Sequence, residues 1–118
     1  MPRLSAIIIT LNEAGNIAGC LDALSFCDEC IVVDGGSTDE TVKVAQGKGV
    51  RAVSHPFEGF GAQKGFALSL ATGDWVLSVD ADERVTPTLA QEVRDAIAGG
   101  AADCYDCLLY TSPSPRDS

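Results

Sequence analysis

Trp75-Val76-Leu77-Ser78-Val79, running into Asp80-Ala81-Asp82, is the stretch from which the architecture can be read. Its run of apolar residues, broken by one hydroxyl, suits a strand covered on both faces, as in a parallel sheet between layers of helices. An open α/β sheet places its ligands at the carboxyl ends of such strands. Asp80 and Asp82 would emerge together at that edge. Their hard oxygens suit Mg²⁺ or Mn²⁺, ions that usually keep waters and substrate phosphates as further ligands. The stretch therefore points to a metal-bridged phosphate compound.

The flanking segments repeat the same alternation. Leu4 to Thr10 (LSAIIIT) is an apolar, β-branched run that breaks into Leu11-Asn12-Glu13, and Asn16 to Leu24 carries Ile17, Leu21 and Leu24 at helical spacing. Cys30 to Val33 reads as a second buried strand, ended by Asp34-Gly35-Gly36. Ser37-Thr38-Asp39-Glu40 predicts a capped helix start with acids in the first turn, continuing through Thr41 to Gln46 and stopping at Gly47 or Gly49. Val50 to Val53 predicts a third strand, Ser54 to Gly61 a loop, and Gln63 to Ala71 a helix with Phe66, Ala67 and Leu70 on one side and Gly73 as its stop. Thr86-Pro87 opens a last helix, Thr as N-cap and Pro at the first helical position, reaching about Ala98 before Gly99-Gly100. Strands and helices in this order mean βαβ units on a parallel sheet.

With 118 residues, 46% apolar and 21% charged, the chain has the composition of one globular domain or part of one. The formal net charge of -9 argues against a nucleic-acid partner, which clustered Lys and Arg would serve. Acids gathered at a site would instead hold a cation, and through it an anionic substrate. No apolar run is long enough to span a bilayer, and no signal-peptide core follows Met1, so a cytoplasmic location is expected. Among the five cysteines, Cys27-Asp28-Glu29-Cys30 and Cys104-Tyr105-Asp106-Cys107 each read C-x-x-C. Their separation is far longer than in compact zinc ribbons, and reduced thiols are the expectation. Cys107 to Ser118 (CLLYTSPSPRDS) turns to Ser and Pro where another strand is due. It reads as the translation of a sequencing adaptor rather than as native chain, with a disordered tail as the alternative. The expected division is residues 1–106 as the natural domain part and 107–118 as the tail.

On such a sheet three strand ends share one edge: Thr10 to Glu13, Asp34 to Ser37, and Asp80 to Asp82. Gly35-Gly36 would allow close backbone approach and offer free N–H groups to a polar ligand. His55, alone in its loop, is expected to be incidental, Trp75 to be core, and Arg84 is given no role.

The motifs T-L-N-E (Thr10–Glu13), V-V-D-G-G-S-T-D-E-T (Val32–Thr41) and G-A-Q-K-G-F-A-L-S-L-A-T-G-D-W-V-L-S-V-D-A-D-E (Gly61–Glu83), in that order, resemble glycosyltransferase family 2, with its GT-A fold. Within the family they most resemble the lipopolysaccharide-core, β-1,4-glucosyltransferase-like branch. The resemblance implies an inverting transfer of a sugar from a nucleotide-diphosphate donor to a glycan or lipid-linked acceptor. A lipid-linked acceptor would bring the protein to the inner face of the bacterial inner membrane. Thr10, Asn12 and Glu13 would then line the nucleotide pocket and Asp34 would lie near base and ribose. Gly35 stands where the commonest family pattern has a second acid, and Gly65 where it has asparagine. Lys64 occupies the place of the usual arginine and would contact the diphosphate or base as a point charge. Asp80 and Asp82 would hold the metal. The family's general base lies well downstream of D-x-D, Glu83 is too close to the metal pair to take that part, and no residue of this sequence matches it. Two alternatives are a catalytically incomplete metal- and nucleotide-binding fragment and a D-x-D phosphohydrolase. The latter normally carries its motif on the first strand, unlike Asp80-Ala81-Asp82.

Overall fold

Four of the apolar runs become parallel strands of one sheet. The computed structural model describes residues 3–98 and 108–111. In chain order the elements are β1 (Leu4–Thr10), α1 (Ala14–Asp22), β2 (Glu29–Asp34), α2 (Thr41–Gly47), β3 (Arg51–Ser54), α3 (Phe60–Leu70), β4 (Trp75–Asp80), α4 (Pro87–Ala98) and β5 (Leu108–Thr111). The strand order is β3-β2-β1-β4-β5, with β5 alone antiparallel, against β4. The chain thus steps outward from β1 to β3 and then returns to the other side of β1.

That reversal decides where the helices lie. Crossovers between parallel strands are right-handed, so reversing the direction of travel sends the connecting helix to the opposite face. Ile17, Cys20 and Leu21 of α1, Ala45 of α2 and Ala90 and Val93 of α4 pack with Ala6, Ile8, Val32, Leu77 and Val79. Ala67 of α3 packs with Ile7, Ile31, Val33 and Val76 on the other side. The runs of β1, β2 and β4 are apolar at successive positions because both faces are covered, whereas the edge strand β3 exposes Arg51 and Ser54.

Neither α1 nor α2 has a side-chain hydrogen bond at its N-cap. A good cap contributes about 1 kcal/mol, whereas burying one Ile or Leu contributes about 1.5–3 kcal/mol. Ile17 and Leu21 are both buried, so packing holds α1. The last helix is the exception: Leu89 N–H donates to Thr86 Oγ1 at 3.1 Å, as Thr86 in the N-cap position predicts.

Several boundaries differ from the sequence reading. The first turn of α2 contains no acid; Asp39 precedes it and accepts the Thr41 N–H at 3.0 Å. Helix α3 begins at Phe60, directly after Gly59 at φ 119°, which turns the chain in. The same helix ends at Leu70, before Gly73. The glycine serves close approach instead: an added Cβ would lie 2.6 Å from Ser5 Oγ and 2.9 Å from the Arg3 carbonyl oxygen. β5 falls inside the segment expected to be a non-native tail, while the expected boundary at residues 106 and 107 and the Cys104–Cys107 pair lie outside the described residues. Among the described residues no helix is long and apolar enough to cross a membrane.

Candidate functional site

β1 lies between β2 and β4, with Thr10 opposite Asp34 and Ile9 opposite Asp80. The three predicted strand ends therefore emerge side by side, and the chain reverses its course across the sheet between β1 and β4. Carboxyl strand ends at such a switch point form the ligand crevice of open α/β sheets.

The loops after β1 and β2 are joined by hydrogen bonds. Asn12, at φ 56°, donates its N–H to Ser37 Oγ at 2.7 Å, and its side-chain oxygen accepts the Thr38 N–H at 2.8 Å. Glu13 N–H donates to Thr41 Oγ1 at 2.8 Å, and Ala14 N–H to Asp39 at 3.1 Å. Asp39 also accepts a short hydrogen bond from the Thr41 hydroxyl, the main cause of its lowered pKa.

Asp34 is the centre of this clamp. Its Oδ1 accepts the hydroxyls of Thr10 at 2.8 Å and Ser37 at 2.5 Å, and its Oδ2 accepts the N–H groups of Gly36 at 3.0 Å and Ser37 at 2.7 Å. Burial alone would raise its pKa; the hydrogen bonds from Ser37, Thr10 and Gly36 outweigh that and hold it below the ordinary carboxylate value. A carboxylate offers about four acceptor sites, so Asp34 is saturated by its own loop together with Thr10 of β1. The Gly35 N–H donates to the Thr10 carbonyl at 2.9 Å. The glycine pair thus has no free N–H for a ligand, contrary to the sequence expectation.

Asp80 and Asp82 are different. Both are exposed, and neither carboxylate accepts a hydrogen bond among the described residues. Their turn is nevertheless well braced. Asp80 N–H donates to the Glu83 carboxylate at 2.8 Å while Glu83 N–H returns to the Asp80 carbonyl at 2.9 Å. Arg84 donates to the carbonyls of Ala81 and Glu83 and reaches Asn16 Oδ1 at 3.5 Å. Its guanidinium lies over Gly19 of α1, where an added Cβ would be 2.7 Å from Nε. Arg84, without a role in the sequence reading, fastens the acidic turn to α1.

The donor set fits a hard divalent cation that keeps other ligands: two free carboxylates, with places left for phosphate and water. Among the described residues no group of three or more His, Cys, Asp or Glu side chains is placed to hold a metal ion. Lys64 is half-buried on α3 and forms no ion pair among the described residues. Cys20, Cys27 and Cys30 are free thiols, and burial pushes Cys20 up to about 11.

Gln63 was not singled out from sequence. It is fully buried, and its amide bonds both the Nδ1 and the carbonyl of His55, at 2.6 and 2.9 Å. Its place in G-A-Q-K-G was the only signal. A glutamine on the inner side of an otherwise apolar helix face implies a buried partner, but not which one.

Fold and edge define a ligand crevice at the switch point of an open α/β sheet, with two hydrogen-bonded loops on one side and, on the other, a pair of carboxylates that accept no hydrogen bond among the described residues. The model of the family "Glycosyl transferase family 2" matches residues 5–117, and the chain belongs to that family. An uncharacterized glycosyltransferase of Rickettsia felis is 42% identical over 106 residues, covering 89% of this chain and 38% of its own length. The lipopolysaccharide core biosynthesis glycosyltransferase LpsC of Rhizobium meliloti is 37% identical over 100 residues, covering 80% of this chain and 37% of the relative. Glucosyl-3-phosphoglycerate synthase from Mycobacterium tuberculosis, in complex with Mn²⁺, UDP and glucosyl-3-phosphoglycerate, superposes with a TM-score of 0.69 at 28% identity, over 81% of this chain and 39% of that one. The fold is GT-A, and the chain spans under two fifths of the length of these relatives.

Proposed function

We propose that these residues form the donor-binding part of a metal-dependent, inverting glycosyltransferase that moves a sugar from a nucleoside diphosphate to a glycan or lipid-linked acceptor of the cell envelope. One observation carries the reading: Asp80 and Asp82 stand exposed at the switch point with no hydrogen bond to their carboxylates among the described residues, beside loops in which Asp34 and Asn12 are already hydrogen-bonded. Mg²⁺ or Mn²⁺ held by the pair would act as a Lewis acid toward charge developing on the leaving diphosphate. Thr10, Asn12, Glu13 and Asp34 shape the nucleotide pocket chiefly by holding backbone, Asp34 acting through Ser37 and Gly36. Lys64 supplies a point charge toward the diphosphate. The envelope acceptor is supported by the likeness to the lipopolysaccharide-core enzyme, and such an acceptor would bring the protein to the inner membrane face.

A second reading is metal and nucleotide binding without turnover. No residue from Arg3 to Ala98 is proposed as the general base. Calorimetric titration with UDP tests what both readings share. Binding is expected with Mn²⁺ and to disappear in Asp82→Ala; absence of metal-dependent binding by the wild-type chain would defeat the assignment. Release of UDP from a UDP-sugar in the presence of core-glycan acceptors separates turnover from binding alone.

A further inference from the structure

The connection from β3 to α3, with the first residue of that helix, presents two exposed aromatic side chains. Phe57 is 39% and Phe60 72% exposed, and their rings meet edge to face with centroids 5.1 Å apart. Phe57 also reaches the β2 strand end. A Cβ added at Gly35 would lie 3.0 Å from Phe57 Cβ and 3.5 Å from its Cδ1. The missing side chain at position 35 is what lets the ring close onto the sheet edge.

This aromatic wall has a rigid mount. The His55 carbonyl can only accept, so the donor bonded to it at 2.9 Å must be the Gln63 amide nitrogen. The Gln63 amide oxygen therefore faces His55 Nδ1 at 2.6 Å and requires a proton there. The imidazole stacks on Phe66 at 4.0 Å, and the His55 N–H donates to the Asp34 carbonyl at 2.9 Å. Residue 55 is thus held by ring, N–H and carbonyl, two positions before Phe57.

We infer that Phe57, with Phe60 edge-on beside it, is the surface on which the flat base of the nucleoside diphosphate packs, and that the Gln63–His55 pair is its mount. The inference rests on the reading of this edge as the donor site. An aromatic face gives affinity without reading the base's hydrogen-bonding pattern, because every base has a π face. Phe57 thus contributes to how tightly a nucleotide is held and little to which base is chosen.

Titration with UDP and, as a probe lacking a base, inorganic pyrophosphate, each with Mn²⁺, tests the contact. Phe57→Ala is expected to weaken UDP about tenfold, the scale of one base–aromatic stack, and to leave pyrophosphate unchanged. Phe57→Tyr should restore UDP binding. Equal loss for both probes, or loss for neither, overturns the base contact. His55→Asn keeps a donor near the Nδ1 position and is expected to retain UDP affinity that His55→Leu loses. Equal affinity in these two variants overturns the mount. A wild-type chain that binds neither probe defeats the donor-site reading together with this inference. One that binds pyrophosphate with metal but UDP no more tightly defeats the base contact alone.

Discussion

Two strand ends meet at Asp34, whose carboxylate accepts hydrogen bonds from Thr10 of β1 and from Gly36 and Ser37 of the loop after β2. Asp34→Asn would replace one acceptor oxygen by an amide that faces donors already in place. Loss of bonds to a buried charged group is expected to cost about 3 kcal/mol, measured by urea denaturation. The pH dependence has a definite sign. The folded-state pKa of Asp34 is depressed, so its stabilisation is present above the unfolded carboxylate value and is lost as pH falls through the folded value. Wild-type stability should decline below about pH 4, the ordinary carboxylate range, and the acid limb should be flatter in Asp34→Asn. An unchanged acid limb in the variant would show that other carboxylates control it. The aspartate itself was legible in the sequence as a strand-end acid, but its saturation was not. Ser37 and Gly36 are near in sequence, whereas Thr10 approaches only because β1 and β2 pair in register.

At the scale of elements, two glycines separate packing from propensity. Gly73 lies just before β4, where a Cβ would strike backbone atoms of Arg3 and Ser5. Gly73→Ala is expected to destabilise by about 2 kcal/mol, as overpacking of a well-fitted site does, and to lower the melting temperature by roughly 10 °C. Gly65 is exposed inside α3 with nothing within 4 Å of an added Cβ, so Gly65→Ala should stabilise by about 0.5–1 kcal/mol. Thermal unfolding of the two variants should therefore shift in opposite directions. The same contrast explains what the sequence disclosed. Apolar runs marked all four parallel strands, and Thr86-Pro87 marked the start of α4, because burial and capping act on neighbouring residues. The early start of α3, the close approach at Gly73 and the partner of Gln63 depend on segments far apart in the chain. Neither periodicity nor turn chemistry carries that information.

For the whole molecule, the net charge of -9 opposes binding of any anionic nucleotide, while the free Asp80–Asp82 pair adds local negative charge at the proposed site. Cation and nucleotide should consequently stabilise the fold jointly and far more than either does alone. A ligand at a hundred times its dissociation constant contributes about 2.7 kcal/mol to the folded state. For a domain of this size that corresponds to roughly 10 °C or more in melting temperature. UDP with Mn²⁺ should produce such a shift, with only a small one from UDP in chelator or from Mn²⁺ alone. Asp82→Ala should remove the joint shift while leaving the unliganded melting temperature nearly unchanged, since its exposed carboxylate accepts no hydrogen bond among the described residues. The ionic-strength response separates the cause further. If general repulsion alone kept UDP away, added salt would screen it and permit binding without metal. If the paired carboxylates need an intervening cation, UDP in chelator should still give no shift at high salt.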